Sequence, residues 1–166
     1  VISAGAVGSA GLDGFVITEG YANGTTNIIV NAAMFYPYNG AGMYNITSSP
    51  AIKNVTITGN AAFSSTASGG GMYNQSSSPI LTKVIISNNT AAGSSYSYGG
   101  GMYNINSNAV LTNVSISSNT ATTSSSSPNY SSAAGGGIYG QNSNLVLTNV
   151  MITDNTASSS SSPAYG

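Results

Sequence analysis

Gly69-Gly70-Gly71-Met72-Tyr73-Asn74 returns as Gly99-Gly100-Gly101-Met102-Tyr103-Asn104. It occurs earlier as Gly40-Ala41-Gly42-Met43-Tyr44-Asn45 and, more loosely, as Gly135-Gly136-Gly137-Ile138-Tyr139-Gly140. Outward from each box the landmarks keep fixed distances. A valine follows the Met or Ile by 12 residues every time, at Val55, Val84, Val114 and Val150. An asparagine stands 5 residues further on, at Asn60, Asn89, Asn119 and Asn155, and an alanine 2 beyond that. Self-similarity at such a period is the signature of a repeat architecture. A degraded unit lies upstream, where Leu12, Phe15 and Ile17 copy the spacing of Leu81, Val84 and Ile86 and Gly20 takes the asparagine's place.

The intervals from Met43 to Met72, from Met72 to Met102 and from Met102 to Ile138 are 29, 30 and 36 residues. The variation falls after the alanine, in Ser-rich stretches, as it does in loops on one side of a repeated core. Residues 1–166 therefore read as a single domain of units 1–39, 40–68, 69–98, 99–134 and 135–166. The insert 23–39 in the first unit is too apolar for a solvated loop, for it holds Ile28-Ile29-Val30 and Met34-Phe35-Tyr36.

Inside each unit, Val55-Thr56-Ile57, Val84-Ile85-Ile86, Val114-Ser115-Ile116 and Val150-Met151-Ile152 put Val and Ile on one face with a period of two. Gly, Asn, Ser and Pro punctuate these runs as turns do, and the helix formers Glu, Lys and Arg are nearly absent. The fold expected is all-β: a parallel β-helix, or β-solenoid, of about five turns of ~30 residues with strands ~4.8 Å apart. Identical positions then stack in columns. Met43, Met72, Met102 and Ile138 form one apolar column, and Val55, Val84, Val114 and Val150 another. Asn60, Asn89, Asn119 and Asn155 form an amide ladder. Disorder would not require these fixed offsets.

Composition narrows the chemistry. Only five of the 166 residues are charged, namely Asp13, Glu19, Lys53, Lys83 and Asp154, and the chain holds no His, Arg, Cys or Trp. Two lysines do not make the basic stripe that nucleic acid requires. No apolar run approaches the ~18 residues of a membrane span. There is no disulfide framework, and neither a metal nor a cofactor is implied. Glycoside hydrolysis needs two carboxyl groups ~5–9.5 Å apart. Glu19 and Asp154 share a column but are four turns apart, ~19 Å at that strand spacing. The sequence reads as a non-enzyme.

The Gly-Gly-Gly-Met-Tyr-Asn boxes, followed by the run from Ser77 to Ala91, resemble secreted right-handed parallel β-helix repeat proteins. They are similar to the repeats of polymorphic outer-membrane adhesins, which pair a Gly-Gly-Ala-Ile-like box with Phe-x-x-Asn. The second box here reads Ile57-x-x-Asn60, Ile86-x-x-Asn89, Ile116-x-x-Asn119 and Ile152-x-x-Asn155. The resemblance implies a right-handed coil, an extracellular or cell-surface setting, and adhesion or structural display.

Further residues are singled out on the same frame. Asp13 and Lys53 share a column on adjacent turns and are expected to form an ion pair. Tyr44, Tyr73, Tyr103 and Tyr139 alternate with the inward Met column, so they are expected as a surface stripe, either stacked on itself or open to sugar faces or a partner. Asn23, Asn45, Asn54, Asn74, Asn88, Asn113 and Asn129 begin Asn-x-Ser/Thr sequons, the acceptors for N-glycosylation. Neither end carries a recognisable cap, and unpaired edges invite strand addition.

These features point to a homopolymeric extracellular filament built by end-to-end stacking, with Ile28, Ile29, Val30, Phe35 and Tyr36 as candidate subunit contacts. In perfect register Asp154 meets Glu19 of the next copy, a like-charge contact. The alternatives are a passenger segment of a cell-surface adhesin, or a carbohydrate-binding module using the tyrosines. The partners implied are the chain itself and glycans or other cell-surface components.

Overall fold

The computed structural model describes residues 1–5, 10–125, 131–161 and 164–166. Among them there is no helix, and the chain runs through stacked parallel sheets in a solenoid-like path. The first sheet stacks Ile2–Ala4, Met43–Ile46, Met72–Gln75, Met102–Ile105 and Ile138–Gln141 in that order. Its register sets Met72 beside Met43 and Met102, and Tyr73 beside Tyr44 and Tyr103.

The second sheet is bent around a corner. Gly11–Asp13, Ala51–Lys53 and Ile80–Thr82 lead to the first half of the long strand Val110–Ser117. Val16–Thr18, Thr56–Thr58 and Ile85–Ser87 lead to its second half. Val146–Thr153 pairs along nearly the whole of that strand. The third sheet stacks Tyr21–Ala22, Ala61–Ser68, Thr90–Tyr98, Thr120–Thr123 and Thr156–Ser159. Ser132–Ala134 and Ala164–Tyr165 extend it beside the second half of Thr90–Tyr98.

The strands enclose an apolar core in which Ile52, Ile57, Leu81, Ile86, Met72, Met102, Leu111 and Ile116 are fully buried. Where the chain turns between strands it enters the left-handed region, and these corners also stack. Glu19, Gly59, Asn88, Ser118 and Asp154 have φ of 58°, 66°, 55°, 55° and 55°. Gly14, Asn54, Lys83, Asn113 and Asn149 form a second such column.

Each glycine of the triple box has its own duty. Gly99 has φ 61°, a conformation that a Cβ penalises. A Cβ on Gly100 would stand 2.4 Å from the Thr120 carbonyl, and one on Gly101 would stand 2.6 Å from the Gly137 oxygen. The second and third glycines are therefore demanded by close backbone stacking between repeats.

Candidate functional site

Among the described residues no cluster of His, Cys, Asp or Glu could hold a metal ion; the distinctive features are two polar ladders, an aromatic column and two apolar end faces. The Asn60/Asn89/Asn119/Asn155 column lies inside the corner between the second and third sheets. Nδ2 of Asn89 donates to Oδ1 of Asn119 at 2.9 Å and to the Ile57 carbonyl at 2.9 Å. Nδ2 of Asn60 donates to Asn89, and that of Asn119 to Asn155, both at 2.9 Å. The main-chain N–H of each of Asn60, Asn89 and Asn119 donates to the next side-chain oxygen at 3.0 Å.

A second ladder runs through the first sheet. Asn45 donates to Asn74 at 2.7 Å and Asn74 to Asn104 at 2.9 Å, all three wholly buried. Sequence reasoning missed it, although the signal was present: a residue two after an inward Met points inward by the period of two. Asn45 and Asn74 also begin sequons, and burial removes both from the accessible acceptors. Asn23, Asn54, Asn88 and Asn113 are exposed, and Asn129 lies outside the described residues.

Three other expectations need correction. Asp13 and Lys53 are register neighbours, yet among the described residues they form no ion pair; the Asp13 carboxylate instead accepts from Nδ2 of Asn54 at 2.7 Å. Both side chains sit in water, where a lysine gains little from ordering its long stem.

The tyrosine column is turned away from solvent except at its end, where Tyr139 is half-buried. Tyr44, Tyr73 and Tyr103 are only 3%, 7% and 6% exposed. Their rings stack at 4.6 and 5.0 Å, and Tyr103 meets Tyr139 at 5.5 Å. Phe35 covers one end edge-on at 4.7 Å from Tyr44, and Tyr98 packs on Tyr139 at 4.8 Å. Burial raises the Tyr44 phenol to about 12 and pushes Tyr73 and Tyr103 upward as well. A buried stripe offers no ring face to a sugar.

The apolar insert folds back on its own chain, so that of the candidate subunit contacts Phe35 is buried while Ile28 and Ile29 stay exposed. Ile28–Val30 and Ala33–Phe35 pair as an antiparallel hairpin through Asn31 and Ala32, whose φ of 49° and 61° are those of a tight two-residue turn. Phe35 is 1% exposed against the tyrosines, while Ile29 and Met34, opposite one another, point outward.

Among the described residues, the two ends of the stack are apolar and unpaired in backbone. At one end Val1, Phe15 and Val16 are exposed, with Leu12 and Ile17 partly covered; at the other, Val146, Leu147, Met151 and Ile152 are exposed. A cavity of about 170 Å³ opens on the first end, lined by Gly11, Leu12, Met43 and Pro50 among others. One of about 310 Å³ opens on the second, between Gly135–Ile138 and Ile152–Asn155. No helix among the described residues is long and apolar enough to cross a membrane. Comparison with family models, curated proteins and solved structures finds no match to this chain.

Proposed function

We propose that the chain is the structural subunit of an extracellular homopolymeric filament, a five-turn right-handed β-helix that stacks end to end, with no catalytic role. The observation that carries this reading is the match between the two end faces. The inward columns finish in apolar residues at both ends: Leu12 and Leu147, Ile17 and Ile152, Phe15 and Val150. Unlike faces that complement each other make a heterologous contact, which propagates without limit when the rotation does not close. The open edges supply backbone hydrogen bonds for that joint, and the scarcity of charge leaves little self-repulsion to oppose it.

Electron microscopy of the concentrated chain tests the proposal. Fibres with an axial repeat near 24 Å, five strand spacings of ~4.8 Å, are the expected result. Leu147→Lys should abolish them while the β-type circular dichroism persists. Monodisperse particles of the unaltered chain at every concentration would overturn the reading.

One observation favours the second reading, a segment of a longer surface adhesin. In the ladder each asparagine N–H finds the next asparagine's Oδ1. A stacked copy would offer Asn155 only Gly20, which has no side chain. Further repeats of the same chain would offer another asparagine.

A further inference from the structure

The outer side of the third sheet carries an aromatic pair that is not part of the buried tyrosine column. Tyr21 lies beside Ala61, and its ring sits 4.9 Å from that of Phe63 at a tilt of 35°. Tyr21 is 63% exposed and Phe63 37%. Beside Phe63 opens a cavity of about 310 Å³ lined also by Asn23, Gly24, Thr25, Tyr38, Ser64 and Ser65. Asn23-Gly24-Thr25 is an Asn-x-Thr acceptor that begins two residues after Tyr21.

The acceptor is held in place. The Gly24 N–H donates to the Pro37 carbonyl at 3.1 Å. A Cβ on Gly24 would stand 2.8 Å from Cβ of Pro37, so glycine is what lets this loop close on the insert. The Asn23 side chain is exposed and makes no hydrogen bond to the described residues. Of the other exposed acceptors, Nδ2 of Asn54 is engaged by Asp13, and Asn88 and Asn113 hold left-handed corners with φ 55°.

We infer that Asn23 carries an N-linked glycan whose first sugars lie against Tyr21 and Phe63. The inference rests on the extracellular setting of the proposed function, but not on filament formation. The donor is an oligosaccharide linked to lipid pyrophosphate. Nδ2 of Asn23 bonds to the anomeric carbon, the bond from that carbon to the phosphate oxygen breaks, the lipid pyrophosphate leaves, and the amide proton passes to the transferase's base. The C–H face of a sugar covers an aromatic ring that otherwise meets water. No charged residue lines the cavity, so the sugars it suits are neutral.

The test is secretion of the full chain from a host with N-glycosylation machinery, followed by peptide mapping and thermal melting. Asn23 should be occupied, with Asn45 and Asn74 bare in the folded fraction. Asn23→Gln should lower Tm by about 3 °C. In a Tyr21→Ser/Phe63→Ser background the same change should leave Tm unmoved, the cycle that isolates the contact. A bare Asn23, or an Asn23→Gln chain that melts with the unaltered one, overturns the inference. So does saturable binding of a free neutral oligosaccharide to the Asn23→Gln chain that the double serine change removes, for the platform would then take its sugar from solution. Fibres are scored in parallel. Fibres with a bare Asn23 overturn the glycan alone, and an occupied Asn23 without fibres overturns the filament alone.

Discussion

Asn89 makes four hydrogen bonds through one side chain: two donated, to Ile57 and Asn119, and two accepted from Asn60. Serine and threonine have only one donor, so no other small residue can give two hydrogen bonds and take two at that corner, and the ladder position is far more selective than an ordinary turn. Asn89→Ala strands several buried groups at once and should cost about 3 kcal/mol, read from the midpoint of urea unfolding. The inner ladder has a fault that can be mended. Its last donor, Nδ2 of Asn104, has no partner, because the residue in register with Asn104 is Gly140. A Cβ on Gly140 would meet nothing closer than 3.8 Å. Gly140→Asn should extend the ladder and stabilise the fold by about 1 kcal/mol, one net hydrogen bond, in the same urea titration.

At the scale of strands and corners, the fold depends on positions where the chain turns left-handed. Lys83 is the odd member of a column otherwise made of Gly14, Asn54, Asn113 and Asn149, and it holds φ 55°. Asparagine tolerates that region better than lysine, and a β-branched residue tolerates it worst. Lys83→Asn should therefore stabilise by roughly 0.5 kcal/mol and Lys83→Val destabilise by about 1–2 kcal/mol, a difference in sign that denaturant midpoints resolve. The inward columns were legible in the sequence because one interior imposes one residue type on every repeat: Met72 above Met43, Leu81 above Ile52, Asn89 above Asn60. The left-handed corners were not, since residues as unlike as Glu19, Thr47 and Lys83 occupy them and only backbone geometry unites them. Nor could a period of two reveal that an outward face is itself covered. Tyr44 alternates with Met43 as a surface residue would, and it is buried because the hairpin just upstream of it, ending in Phe35, folds back to lie on it.

For the molecule as a whole, that covered aromatic column sets the response to alkali. A phenol in the unfolded chain ionises near pH 10, whereas burial holds Tyr44 neutral to about 12. Between those values the unfolded chain has lost a proton that the native chain keeps. Stability must then fall as pH rises. The contribution is intact below pH 10 and vanishes as pH passes through about 12, with Tyr73 and Tyr103 raised in the same direction and adding to the slope. Urea midpoints should stay flat up to pH 10 and then decline, and the share of the tyrosinate absorbance that belongs to Tyr44, Tyr73 and Tyr103 should appear together with loss of the β-type circular dichroism. Phe35 is the lever on this behaviour, packed 4.7 Å from the Tyr44 ring and almost wholly buried. Phe35→Ala opens that end of the column to water. It should cost about 3 kcal/mol at neutral pH and let a fraction of the tyrosine absorbance change occur nearer pH 10, before the sheets unfold. If the absorbance share of Tyr44, Tyr73 and Tyr103 in that variant still appeared only with global unfolding, the hairpin would not be what shields the column.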